Sequence, residues 1–367
     1  MQHAFYFLLA GLLLLSPSCN TPESNDSGNV FDRKAMLARY AVQFVEPAFA
    51  ELRRSTGELH AKAGSYADAP SPAALSAARK AWAEAMLSWQ QANAFNFGPA
   101  GESGLRKTLL EEIATFPVSE NKIEQAIARG EHRFDNFDRD ARGLLAIEYL
   151  LFGKGQGDDA LSQAFSLSPT RRAHLKALSG HLKERVEEVA AAWTAYRESF
   201  IANAGTDAGS STSLLYNAFV QSYEHLKNFK VGLPAGKRPG QTKAEPQLVE
   251  GYYSGLSLPL LKGHFNALEN LYLGRSATGV AGTGFREYLD SVEGGPALVA
   301  LTLAQLQAVR KALESIPSEV PFSQLVASAH PSVETLHIEL QKLTRFFKSD
   351  MSSLLGISIT YNSGDGD

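Results

Sequence analysis

Two glutamates sit inside apolar stretches of helical character, where a carboxylate requires an explanation. Glu148 lies in Gly143–Gly153, which reads G-L-L-A-I-E-Y-L-L-F-G. Glu269 lies in Ala267–Gly274, A-L-E-N-L-Y-L-G, against A-I-E-Y-L-L-F-G at Ala146–Gly153. In each copy the carboxylate follows Ala and a branched aliphatic residue, and a Gly closes the segment five residues later. An ionised carboxylate is expensive to bury alone, so each glutamate must be solvated, paired with a cation such as Arg142, or placed in a pocket. The two lie 121 positions apart, too long for a solenoid unit and suited to a duplicated, bundle-sized half.

Other groups with chemical potential are scattered. Tyr252, Tyr253, Ser254 and Ser257 bring hydroxyls just ahead of the second copy, as a pocket wall or as packed, satisfied hydroxyls. His174 and His181, and His330 and His337, are seven apart; each pair shares a helical face, but two turns is a long reach for one metal, and both read as solvated. His132 with Asp135, Asp138 and Asp140 forms an acidic loop before Glu148, explained by helix capping by Asp138 or Asp140, with a cation site as the alternative. Trp82 and Trp89 read as core aromatics. HExxH, GxSxG and P-loop patterns are absent from the sequence.

The elements that must position these groups are helices. Leu175, Leu178, Leu182, Val186, Val189, Trp193, Tyr196 and Phe200 step by threes and fours between charged residues, one apolar stripe on a long helix. Val333, Leu336, Leu340, Leu343, Phe347, Met351 and Leu354 repeat the pattern. The spacing predicts further helices over about 32–59, 71–96, 140–152, 211–229, 247–272 and 296–316, with Ser71-Pro72 and Ser168-Pro169 as cap-and-start signals. Period-2 strand runs are missing. The small polar stretch around residue 207 separates two halves. The reading is all-α, two packed helical bundles at 31–203 and 211–367 related by an internal pseudo-repeat.

The first residues bear on compartment. Ala4–Leu15 is an apolar run followed by Ser16-Pro17-Ser18-Cys19. As a helix it would span about 18 Å, short of a bilayer core of about 30 Å. It reads as a lipoprotein signal over 1–19, with Cys19 becoming the acylated N-terminus; an ordinary secretory signal is the alternative. Residues 20–30 are polar and read as a flexible tether. Cys19 is the sole cysteine, so stability must come from packing. A net charge of −4 without a basic stripe argues against nucleic acid.

Four blocks resemble the imelysin-like superfamily, which is linked to peptidases and to bacterial iron uptake. Ala78–Pro99 is similar to its Trp-rich helix ending in F-x-F-G-P, and Phe116–Ile123 to the segment that follows. Gly143–Gly153 sits where the family's GxHxxE motif belongs, and Val249–Gly274, with E-G-Y-Y-S-G-L-S, is similar to its second-half signature. Asp365-Gly366-Asp367 also fits. The resemblance implies a helical fold and a cleft between the halves holding Asn93, Arg142, Glu148, Tyr253 and Ser257. It also implies metal chemistry, but Leu145 stands in place of the motif's histidine, and Asn93 where many relatives carry Glu. An aliphatic side chain cannot ligate, and a carboxylate beside an amide holds a transition metal poorly. Iron or zinc binding is therefore expected to be weak. The functional expectation is a lipid-anchored binding or accessory protein of the bacterial cell envelope, held to the membrane through Cys19 and serving iron or haem uptake proteins. The alternatives are an imelysin-type metallopeptidase and a protein-binding scaffold.

Overall fold

The computed structural model describes residues 31–104, 106–134 and 136–361. The segments 1–19 and 20–30 with Cys19, together with Asp135 and the Asp365–Asp367 terminus, lie outside the described residues. Apart from an isolated Ser103–Arg106 bridge, the regular elements described are helical.

Helix α1 (Arg33–Tyr40) runs through a π turn at Ala41–Val45 into α2 (Glu46–Asp68), and α3 (Pro72–Ala92) returns beside it. Short helices α4 (Leu109–Ile113), α5 (Glu120–Arg129), α6 (Gly143–Phe152) and α7 (Asp158–Leu167) lead to the long α8 (Pro169–Ala202). After a break comes α9 (Ser211–His225), continued by a π segment at Leu226–Gly232. Then follow α10 (Ser257–Tyr272), α11 (Phe285–Asp290), α12 (Gly295–Glu314), α13 (Phe322–Ala327) and α14 (Pro331–Arg345). A third π segment, Phe346–Asp350, leads into α15 (Met351–Leu354).

The apolar stripes explain this packing. On α8 every stripe residue except Tyr196 is buried, against α2 and α6; each contributes about 1.5–3 kcal/mol relative to exposure. The C-terminal stripe is buried from Val333 to Met351, while Leu354, expected to continue it, is exposed. Ser71 and Ser168 cap α3 and α8 as their Ser-Pro pairs predict, accepting from the backbone N–H of Ala74 and Arg171. Trp82 and Trp89 are core residues. The break between halves falls between Ala202 and Ser211, but residues from Asp32 on form one compact unit. Helix α10 packs on α3 and α9 touches the single turn after α3, so the halves share a core.

Three expectations need correction. The helix predicted over 247–272 begins only at Ser257, because Gly251 and Gly255 both take φ of +72° and turn the chain at Val249–Leu256. His174 and His181 are not a solvated pair. His174 is buried against His132 and Phe134, and its ring is pushed down to about 4 by burial, while His181 packs on Phe134. Finally, Asp138 and Asp140 carry no side-chain cap; both pair with Lys122.

The copies around Glu148 and Glu269 share a helix ending. Gly153 and Gly274 follow α6 and α10 at φ of +65° and +57°, where Gly carries no side-chain penalty. The two carboxylates differ in partners, since Glu269 is ion-paired with Arg310.

Candidate functional site

Glu148 is 1% exposed on α6, which is buried on nearly all sides. Gly143 opens that helix at φ +77°, with the Ile113 carbonyl oxygen only 2.3 Å from where a Cβ would stand. A side chain there would displace α6, so the motif's glycine sets the depth at which Glu148 sits.

No cation meets Glu148 among its described contacts. The Ser254 backbone N–H donates to its Oε1 at 2.8 Å. Burial pushes the carboxyl up to about 7, and Glu250 pushes in the same direction; hydrogen bonds from the Ser254 backbone and side chain and from the Tyr253 backbone oppose it. The turn misread as helix is thus the feature that frees backbone N–H groups to face the carboxylate. Tyr149, the next residue on α6, packs its ring edge-on against Tyr253 at 5.3 Å. Tyr253 in turn donates its hydroxyl to Glu120 at 2.6 Å, and Glu120 pairs with Lys154. Helix α6 therefore clamps the Val249–Leu256 turn. The turn also borders a cleft of about 550 Å³ lined by Tyr252, Tyr253, Ser254, Lys154 and Gln324.

Beside the clamp lies a buried polar network across the halves. Lys230 Nζ is 2.8 Å from Glu250 and donates to Gln90 Oε1 at 2.5 Å, with all three side chains buried. The π registry, with hydrogen bonds from i to i+5, turns positions five apart toward a common side. It carries Lys230 back toward His225. Burial and the Lys230 charge push the His225 ring down to about 3, and lower His264 strongly; burial also lowers Lys230, against the pull of Glu250. Both imidazoles are therefore neutral at physiological pH. Ser222 Oγ donates to Asn93 Oδ1 at 3.0 Å and lies 2.8 Å from His264 Nε2. Either atom can donate in the second contact, depending on the His264 tautomer, and the His264 Nδ1 is buried without a hydrogen-bond partner.

The other ring nitrogen of His264 has no hydrogen-bond partner, so no third group orients the ring toward Ser222. Among the described residues, no group of three or more His, Cys, Asp or Glu side chains converges to hold a metal ion.

The structure brings together some of the residues predicted from sequence and separates others. Glu148 meets the Tyr253–Ser254 turn, and Ser257 lies at its far end, its Oγ donating to the Gly251 carbonyl at 3.4 Å. Asn93 joins the Ser222–His264 side of the network. Arg142 is elsewhere: it pairs with Glu112 at 2.8 Å and donates to the carbonyls of Phe134 and Asn136, which fixes the loop ahead of α6. Gln90, Ser222, His225, Lys230, Glu250 and His264 were not foreseen. The available signal was polarity on helices whose other faces are apolar, as in S-Y-E-H-L-K-N-F-K at Ser222–Lys230.

An all-helical chain with a polar network buried between its halves, a glycine-seated glutamate on one side and a tyrosine turn on the other, defines the class. The imelysin family (Peptidase_M75) matches residues 45–344, and the chain belongs to that family. It is 26% identical over 306 residues to Iron-regulated protein A of Synechococcus elongatus, covering 80% of this chain and 78% of that protein. Its fold is similar to that of a putative iron-regulated protein A precursor from Parabacteroides distasonis, with a TM-score of 0.71 at 18% identity, over 88% of this chain and 95% of that one. An imelysin-like protein from Psychrobacter arcticum gives a TM-score of 0.70 at 18% identity, over 90% and 97%.

Proposed function

We propose that this chain is an iron-related binding or accessory protein of the bacterial cell envelope, anchored by lipid on Cys19, whose family metal site has decayed into a polar clamp between the halves. The observation that carries this reading is the set of partners around Glu148. They are the backbone N–H groups of Tyr253 and Ser254, the Ser254 hydroxyl and a second carboxylate, and Leu145, one turn away on the same helix, is aliphatic. A carboxyl raised to about 7 is also half protonated at neutral pH, which weakens it further as a ligand. The iron-related role is drawn from the likeness to Iron-regulated protein A of Synechococcus elongatus. Among the described residues no helix is long and apolar enough to cross a membrane, so acylation would supply the anchor.

Two outcomes test this. Leu145→His restores an imidazole three residues before Glu148 and should raise zinc affinity at least about tenfold in calorimetric titration. No gain would mean that the Glu148 pocket is not a remnant metal site. Cys19→Ser should move the protein from the membrane fraction to the soluble fraction or leave it unprocessed. Mass spectrometry finding an unacylated N-terminus cleaved elsewhere would contradict the anchor.

A further inference from the structure

A second cleft, of about 420 Å³, lies in the second half, where the π segment Leu226–Gly232 and the turn after it meet α14 and the π segment Phe346–Asp350. Five cationic side chains line it: Lys227, Lys237, Arg238, Arg345 and Lys348. Glu224 is the one carboxylate among the described lining residues, and it is engaged by Lys348 at 3.1 Å and by the Tyr361 hydroxyl at 2.7 Å. Just outside the lining, Glu334 pairs with Lys237 and Asp350 with Arg345. Five cations against three carboxylates leave two positive charges in excess among the described residues, in a chain whose net charge is −4. Asn228, Gln341, Thr344 and Ser349 add neutral hydrogen-bonding groups to the wall. Burial pushes the His337 ring down, so it adds no charge there at neutral pH.

Several of these cations are held in place by the fold. Lys227 is 4% exposed, and its ammonium donates to Gln341 Oε1 at 3.1 Å. The Arg238 guanidinium lies over the Phe229 ring at 4.8 Å. Gly236, at φ +71°, sits against the Lys243 carbonyl oxygen, 2.4 Å from where a Cβ would stand, and so fixes the turn that carries Lys237 and Arg238. Lys237 and Arg345 are exposed; exposed ion pairs contribute little, so both can turn from their carboxylates to a ligand of higher charge. From this geometry we infer that the cleft binds a small phosphorylated ligand carrying at least two negative charges, a diphosphate or a phosphate monoester. Phosphate suits the cleft better than carboxylate. Its oxygens accept from several directions, as cations on separate elements require, whereas a carboxylate is matched by one planar fork. The inference does not depend on the function proposed above, since neither Glu148 nor the Cys19 anchor contributes to this cleft.

The test uses pyrophosphate as probe and citrate as a polycarboxylate of similar charge, titrated calorimetrically into residues 32–367, which form one compact unit. The wild type should bind pyrophosphate saturably, and citrate at least about fivefold more weakly. Lys237→Gln combined with Arg345→Gln, both on exposed side chains and so neutral to the fold, should weaken pyrophosphate at least about tenfold, the worth of two charge-assisted contacts. Arg54→Gln combined with Lys62→Gln removes the same charge from α2 in the first half, and should leave the affinity within about twofold. Absence of saturable pyrophosphate binding, citrate bound as tightly, or a Lys237→Gln/Arg345→Gln protein no weaker than the α2 variant would each overturn the inference. So would pyrophosphate binding that appears only after Asp365→Asn with Asp367→Asn, since the cleft would then belong to carboxylates of the chain itself.

Discussion

Glu148→Gln should stabilise the protein at pH 8 and leave its stability nearly unchanged at pH 4. The Glu148 carboxyl is lifted by burial from an ordinary 4.5 to about 7, so the folded chain holds that proton more tightly than the unfolded chain. The associated stability is fully present below the unfolded value, falls as pH rises, and is lost once pH passes about 7. The total loss is on the order of 3 kcal/mol. Glutamine keeps an oxygen to accept the Ser254 N–H but carries no charge to desolvate. Urea melts of both proteins between pH 4 and pH 8 should converge at the acid end and separate at the alkaline end. Parallel pH profiles would mean that Glu148 is ionised at no cost, and thus less enclosed than its geometry indicates.

Lys230→Met should be the most damaging single substitution in the network, at about 3–5 kcal/mol. Lys230 and Glu250 are each about 3% exposed and 2.8 Å apart. Removing one member of a buried pair strands the other charge without solvent, which costs far more than the pair contributes net. Gln90 would also lose its donor. Adding Glu250→Gln to Lys230→Met should recover much of the loss, because the stranded carboxylate disappears with the cation. A double mutant no more stable than Lys230→Met alone would show that packing around the π segment, and not charge, carries the cost.

Local regularity made the fold legible. Stripes at three- and four-residue spacing placed α8 and α14, and the Ser-Pro signals placed the starts of α3 and α8, since capping and apolar periodicity act within a few residues. The turn at Val249–Leu256 was not legible. Its flanking apolar residues continue a helical period, and only Gly251 and Gly255, both at positive φ, interrupt it. The site followed the same division. Glu148 stood out because a carboxylate in an apolar run is anomalous on sequence alone. Lys230 and His264 did not, because their partners Glu250, Gln90 and Ser222 lie from about twenty to more than a hundred positions away. Arg142 misled for the complementary reason: nearness in sequence suggested Glu148, whereas the extended backbone at Arg142 directs its side chain to Glu112. The π registry that turns Lys230 toward His225 has no counterpart in a period read at 3.6 residues per turn.

The central claim is that Glu148 serves as a backbone-held clamp between the halves and no longer as a metal ligand. Calorimetric titration of the soluble domain with zinc and with iron, in the wild type and in Glu148→Ala, tests it most directly. The account predicts affinity weaker than about micromolar in the wild type, with little change in the variant. Micromolar or tighter binding that Glu148→Ala abolishes would contradict it.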